Sequence, residues 1–358
     1  MTTTCKHPGR PSYLACADCP RGRVSAQSHP APASVEDVAA RPSAPRTLSA
    51  FEGQDRAVGR LSVVAAAAVA DGRPMPHLLL CGPPGLGKTT LAQCVAGETG
   101  ATLRTVMGPT LSRPADLAGL LASLHDGDYL FIDEIHRLPA TVEETLYAPM
   151  AEGVLRILLG DGQSASEATV PLPRWTLIGA TTRGGMISAP LRDRFGLAVD
   201  LEFYTAESLA DIVSAAATAD GRFVSAEAAL AIGERGQGTP RLALGLWERC
   251  RDWATVAGLR RVDVAVVAAA CERFGVDDLG LDDLERRVVE VLVARARPLG
   301  LATLAGLLCE DEKTLADQAE PVLMRAGLLE KTPRGRVATA RAHRLYGASA
   351  PRLAEMIS

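Results

Sequence analysis

At 358 residues, with 47% apolar and 22% charged side chains, the chain is long enough for two or three domains with substantial cores. A formal net charge of −4 excludes a molecule that coats nucleic acid with its whole surface, so any such contact must be a local basic patch. The longest apolar run, residues 61–70, is too short and Ala-rich to span a bilayer, and the N-terminus lacks the plan of a secretion signal; a cytoplasmic protein without membrane contacts is expected.

Residues 1–43 are rich in Pro, Ser, Ala and His and carry little apolar periodicity, which reads as a tail without a core. Within them Cys5, His7, Cys16 and Cys19 form C-x-H and C-x-x-C pairs, a soft ligand set suited to tetrahedral zinc. The C-x-H half is short for a finger, and an untethered tail or a start placed too far upstream accounts for the same residues. Cys81, Cys94, Cys250, Cys271 and Cys309 stand in apolar or helical sequence and read as small buried fillers.

From 44 to 205 short apolar runs alternate with amphipathic stretches. "HLLLCG" (77–82), "ATLRTVMG" (101–108), "DYLFIDE" (128–134) and "RWTLIGATT" (174–182) read as strands, with helical patterns such as 89–99 and 115–124 between them. That alternation predicts a parallel sheet with helices on its faces. The first strand runs into "GPPGLGKT" (82–89), which fits G-x-x-x-x-G-K-[ST] between a strand and a helix. In that setting backbone N–H groups and a helix N-terminus cradle phosphates, and Gly82, Gly85 and Gly87 permit the close approach. Lys88 would neutralise the β- and γ-phosphates of ATP, and the Thr89 hydroxyl would ligate Mg²⁺. "YLFIDEIHRL" (129–138) ends an apolar strand in adjacent acids, aiming Asp133 at the metal and Glu134 at a water beyond the γ-phosphate. "TLIGATTR" (176–183) ends a further strand in hydroxyls, of which Thr181 or Thr182 would stand between loop and acids. In "SAPLRDRF" (188–195), Arg192 and Arg194 flank Asp193, either as a surface ion pair or as an arginine delivered to a neighbouring subunit.

Residues 206–275 are helical throughout, and Arg241, in "GTPR", opens a helix from which it could reach back to the same phosphate. From 276 to 358 an acidic hinge leads into three short helical patterns and two strands around a Gly-containing turn, the plan of a winged helix-turn-helix. The strip "KTPRGRVATARAHRLYG" (331–347) carries Lys331, Arg334, Arg336, Arg341, His343 and Arg344 and no carboxylate. A solvated segment or a DNA contact would both suit it, and the strip reads as the wing and last strand of such a module; Lys331, Arg334 and Arg336, at the proposed turn, are the contact candidates, while Arg341 and Arg344 read as solvated.

"HLLLCGPPGLGKTTLA", "LFIDEIHRL", "VEETLYAPM", "TLIGATTRGGMISAPLRDRFG", "LEFY", "GTPR" and "TPRGRVATARA" occur in the order and spacing of one family. Over roughly residues 45–347 the chain resembles RuvB, the bacterial Holliday-junction branch-migration motors of the AAA+ class. The resemblance implies an AAA+ sheet, a helical lid and a winged helix, and an ATP-driven helicase serving recombination, DNA repair and the SOS response. It implies a homo-hexameric ring on double-stranded four-way junctions with RuvA, and with RuvC in the resolving complex. It makes Lys88 and Thr89 the phosphate and Mg²⁺ residues, with Gly85, Gly87 and Thr90 beside them, Asp133 and Glu134 the acid pair, Thr181 the first sensor, and Arg194 the trans finger. It puts Tyr204 against the nucleotide, makes Arg241 the second sensor, and adds Ser43, Ala44, Ala151, Glu152 and Gly153 to the nucleotide set. Lys331, Arg334 and Arg336 fall on the DNA-touching wing, and 154–173 on the hairpin that grips RuvA. There are departures. "SAPRTLSAFEGQ" (43–54) has Ala44 where the family has an arginine, which puts a side-chain contact to adenine in doubt. Ala168, where the family often has a larger aliphatic, weakens the apolar hairpin tip, though Val170 remains, so reduced RuvA affinity is expected. A diverged, clamp-loader-like paralogue remodelling protein partners would keep the same ATPase residues; the wing favours DNA.

Overall fold

The computed structural model describes residues 44–159 and 166–347. Ser43 and the candidate zinc set Cys5, His7, Cys16 and Cys19 lie outside them. Among the described residues no cluster of three or more His, Cys, Asp or Glu could hold a metal ion, and no helix is long and apolar enough to cross a membrane.

The core is a five-stranded parallel sheet, built from β1 (Leu78–Cys81), β2 (Leu103–Met107), β3 (Tyr129–Asp133), β6 (Thr176–Thr181) and β7 (Leu197–Asp200), with β4 (Val154–Leu159) and β5 (Ser166–Pro171) paired separately as an antiparallel hairpin. The spatial order is β2-β3-β6-β1-β7. Both faces are covered, which is why the central strands read as unbroken apolar runs. Successive side chains go to opposite cores. Leu78, Leu80, Phe131, Ile178 and Ala180 pack under helices Asp55–Asp71 and Lys88–Thr99, while Leu79, Leu130, Ile132 and Leu177 pack under Pro114–Ala122 and Ala140–Thr145. The edge strand β7 has a single buried side chain, Val199, and its short "LAVD" carries no sequence signal of its own.

Helices Ala206–Ala219, Ala226–Arg235, Pro240–Val256 and Val264–Arg273 form the lid, closed by a short parallel pair, β8 (Phe223–Val224) and β9 (Arg261–Val262). Its Leu209, Val213 and Trp247 continue the first core. The winged helix has its own core around Val288, Leu292, Leu304, Leu315 and Leu323. Helices Asp283–Arg295 and Leu301–Leu308 precede a third, which passes through a π segment at Leu315–Ala319 before Glu320–Arg325. Pro321 follows that segment; it supplies no N–H, and its ring would clash with the carbonyl four residues back, so the ladder widens there. The wing is β10 (Leu329–Thr332) with β11 (Gly335–Ala338), and Leu299 bridges to Arg336 as a partial third strand.

Two expectations change. The basic strip does not continue as strand: Thr339 caps a helix, Ala340–Tyr346, that buries Ala342 and Tyr346 one turn apart and carries Arg341 and Arg344 outward. Cys309 is exposed rather than a core filler, at a left-handed C-cap, whereas Cys94, Cys250 and Cys271 are buried as expected and Cys81 is half-buried.

Candidate active site and nucleic-acid interface

The carboxyl ends of β1, β3 and β6 bring the chemistry together. Gly82, Gly85 and Gly87 adopt φ of 145°, 83° and 90°, which lets the loop after β1 fold tightly onto the start of helix Lys88–Thr99. Lys88 is buried, and its Nζ donates to the carbonyls of Gly82 at 2.8 Å and Pro83 at 2.9 Å. Burial lowers its pKa, against which Asp133 and Glu134 pull upward. Asp133 is pushed up by its own burial, opposed by the Glu134 N–H it accepts at 2.9 Å and by the Lys88 charge. A buried ammonium facing two carboxylates and a loop of open backbone suits a nucleotide triphosphate with its divalent cation. Thr89 and Thr90 follow Lys88 in the first turn of the helix.

Glu134 has φ 51° and ψ 43°, a left-handed conformation that a non-glycine residue holds only when its surroundings impose it. The turn sits against Gly108, where a Cβ would come within 2.6 Å of the Glu134 carbonyl. Gly108→Ala is therefore expected to displace the acid pair and reduce ATP turnover by roughly 10²-fold with nucleotide affinity little changed. Steady-state kinetics beside nucleotide titration measure this; parental turnover would show that the turn tolerates the methyl group.

The two threonines separate. Thr182 Oγ1 donates to Glu134 Oε2 at 3.1 Å, whereas Thr181 is fully buried, accepts the Arg183 N–H at 3.0 Å and meets His136 Nδ1 at 3.0 Å. Thr182, not Thr181, is thus the hydroxyl that touches the acid pair directly. His136 escaped the sequence reading; its place just after the acids was the available signal.

The lid closes over the loop. Arg241 N donates to Gly85 O at 3.3 Å, and its guanidinium acts electrostatically on Lys88 and Asp133. Tyr204 is buried, with its hydroxyl donating to Leu86 O at 3.2 Å and its ring against Gly53, where a Cβ would come 2.5 Å from the ring. Burial pushes its hydroxyl up to about 12. Ala44 lies at the start of the described segment, half-buried, and Pro45 O accepts from Cys94 Sγ on helix Lys88–Thr99.

Arg194 stands elsewhere. It lies over the Tyr147 ring at 4.3 Å, donates to Pro190 O at 2.5 Å, and has an Nε without a hydrogen-bond partner among the described residues. It lines a groove with Glu144, Tyr147, Ala151, Glu152 and Arg156, and Gly153 caps the helix that carries Ala151 and Glu152. These nucleotide candidates therefore gather around Arg194 rather than around Lys88. Ala168 and Val170 stand in β5 opposite Ile157 and Leu155, not at the hairpin tip, and Val170 is exposed.

The wing is less free than its composition promises. Glu320 is fully buried, yet Lys331 Nζ and Arg336 Nε each reach one of its carboxylate oxygens at 2.5 Å. Burial pushes Glu320 up, but the two cations outweigh it and hold the carboxyl below its usual range. Arg334, in the turn, is exposed. A carboxylate eleven residues before Lys331 thus occupies two of the three DNA candidates.

Family models for the RuvB P-loop domain, the RuvB AAA lid domain and the RuvB C-terminal winged helix domain match residues 43–201, 204–277 and 278–347. The chain belongs to the RuvB family. It is similar to the Holliday junction branch migration complex subunit RuvB of Lacticaseibacillus casei (strain BL23), 46% identical over 297 residues, covering 82% of this chain and 88% of that relative. The subunit of the same name from Campylobacter fetus subsp. fetus (strain 82-40) is 43% identical over 307 residues, covering 86% and 90%. A solved structure of the Thermotoga maritima RuvB Holliday junction branch migration motor superimposes with a TM-score of 0.75 at 39% identity, covering 85% of this chain and 98% of that one. RuvB membership accounts for the joint presence of P-loop, lid and winged helix on one chain.

Proposed function

We propose that this RuvB-family chain is an ATP hydrolase that drives Holliday junction branch migration, working as a hexameric ring in the cytoplasm with RuvA, and with RuvC when the junction is resolved. The observation that carries the reading is that a P-loop centre, with Lys88, Asp133, Glu134 and Thr182 assembled, shares a chain with a winged helix whose turn presents Arg334.

Lys88 meets the β- and γ-phosphates of the substrate, and doing so requires it to leave the Gly82 and Pro83 carbonyls. Thr89 and Asp133 would hold Mg²⁺, which when bound neutralises charge on the phosphates. Glu134 orients the attacking water and draws off its proton. Arg241 and Tyr204 couple the lid to the nucleotide, so hydrolysis alters how the lid sits on the loop. Arg194, with Ala151, Glu152 and Gly153, serves the nucleotide of the adjoining subunit, which supports a closed head-to-tail ring. The hairpin β4–β5 is the RuvA-gripping element.

Arg334 is the primary phosphate contact of the wing, and Lys331 and Arg336 shape it from below. Arg334→Ala is expected to weaken junction binding at every sequence and to reduce the log–log salt slope by about one. Arg336→Ala is expected to destabilise the fold by about 2 kcal/mol as well, because it strips a charged partner from buried Glu320. Fluorescence anisotropy across a salt series and chemical denaturation separate the two. An unchanged slope in Arg334→Ala would remove the wing from the interface. The function itself is tested by ATP turnover with and without four-way junction DNA: stimulation by the junction is expected, and indifference to it would favour a remodeller of proteins.

A further inference from the structure

The side chain of His136 is only 5% exposed, and both of its ring nitrogens are engaged. Nδ1 stands 3.0 Å from Thr181 Oγ1 and Nε2 stands 3.3 Å from Glu134 Oε2. Thr181 Oγ1 already accepts the Arg183 N–H at 3.0 Å, and Glu134 Oε2 also accepts the Thr182 hydroxyl at 3.1 Å. The hydrogens have one consistent arrangement for a neutral ring. A carboxylate only accepts, so Nε2 carries the hydrogen; Nδ1 then has a lone pair, and the Thr181 hydroxyl donates to it. Burial lowers the imidazole pKa, with Glu134 and Asp133 opposing and Arg183 and Arg137 assisting, which favours the neutral ring. The result is one directed series, two hydrogen bonds from the Arg183 N–H through Thr181 to His136, ending in a close polar contact of Nε2 with Glu134.

We infer that His136 is a positioning residue for ATP hydrolysis, locking one oxygen of Glu134 and tying it to the end of β6 through Thr181. The two groups on that oxygen, the Thr182 hydroxyl that donates to it and the imidazole that lies against it, differ in kind. The Thr182 hydroxyl turns about a single bond and is free to leave for a phosphate; the His136 ring is walled in and pinned at its far side by Thr181. When Thr182 turns away, His136 still holds the carboxylate, with its other oxygen available to the water. A left-handed Glu134 makes this contact possible, because it folds the short helix Ile135–Arg137 back toward β6. The role of Thr181 in the site is then indirect, exercised through the imidazole.

The inference rests on Glu134 as the water-orienting group, and the experiment keeps the two apart. ATP turnover and nucleotide affinity are measured for the full chain and for Glu134→Gln, His136→Ala, His136→Gln, Thr181→Val and the Thr181→Val/His136→Ala double variant. His136→Ala is expected to lose about 10²-fold in kcat, the cost of a misplaced reacting group, with nucleotide affinity within about twofold of the parent. His136→Gln, whose amide N–H stands near the position of Nε2, is expected to recover about tenfold of that loss, which a packing role would not give. Thr181→Val is expected to slow the parent and to add nothing in the His136→Ala background, since its effect passes through the ring. Parental kcat in His136→Ala, no recovery in His136→Gln, or additive losses in the double variant would each overturn the relay. Should His136→Ala fail to fold, His136→Gln set against Thr181→Val carries the same comparison. If Glu134→Gln itself turns over like the parent, the assignment of Glu134 fails; if it is inactive while the His136 variants are unimpaired, only the relay fails.

Discussion

Glu134→Gln is expected to bind ATP as the parent does and to hydrolyse it some 10² to 10⁴-fold more slowly. The substitution keeps shape and hydrogen-bonding capacity but removes the charge that draws a proton from water. The Thr182 hydroxyl that donates to Oε2, and the imidazole beside it, meet an amide oxygen in its place, so the left-handed turn and the neighbouring Asp133 have no reason to move. Lys88 loses one of the two carboxylates facing it, which leaves Asp133 to balance its charge. Nucleotide titration beside steady-state turnover is the measurement. A binding-competent, hydrolysis-dead protein is the predicted outcome, and equal turnover would remove Glu134 from the chemistry.

Arg194→Ala is the second large effect, an expected loss of 10³ to 10⁵-fold, the range known for arginines that meet transition-state charge. Its guanidinium lies over Tyr147 in the groove shared with Glu152 and Arg156, while the charges acting on Lys88 include Asp133, Glu134 and Arg241. A loss of hydrolysis from that position with nucleotide binding intact therefore points across a subunit boundary. The decisive form of the experiment mixes Arg194→Ala with Lys88→Ala, each inactive alone. Rings holding both place an intact Lys88 site beside an intact Arg194 at some interfaces, so activity returns in mixtures. Mixtures that stay inactive at every ratio would contradict action in trans.

Much of the fold was legible because the parallel sheet is buried on both faces, so β1, β3 and β6 read as continuous apolar runs with the functional residues at their ends. β7 was silent: four residues with one buried side chain produce no pattern. Lys88 and Asp133 act electrostatically on one another, and Arg241 acts on both, at strand and helix ends that carry the motifs. The choice between Thr181 and Thr182 was beyond sequence, because it depends on the left-handed turn at Glu134, which decides which face of β6 the carboxylate meets. Gly108 matters for the same turn and looks like any strand-end glycine in the linear chain. The carboxylate-free strip 331–347 misled for a physical reason: charge balance is set in space, and Glu320 reaches Lys331 and Arg336 from the preceding helix. The strip also changes element part-way, since Thr339 caps a helix that takes Arg341 and Arg344 off the wing.

The proposed coupling is between hydrolysis at Lys88, Asp133 and Glu134 and the movement of a DNA junction. It is tested most directly by incubating a synthetic four-way junction with the full chain, ATP, Mg²⁺ and RuvA, and following its separation into duplex products. Separation that requires ATP, is absent with Glu134→Gln and is strongly promoted by RuvA is the predicted result. A junction that stays intact while ATP is consumed at the same rate with and without DNA would contradict it.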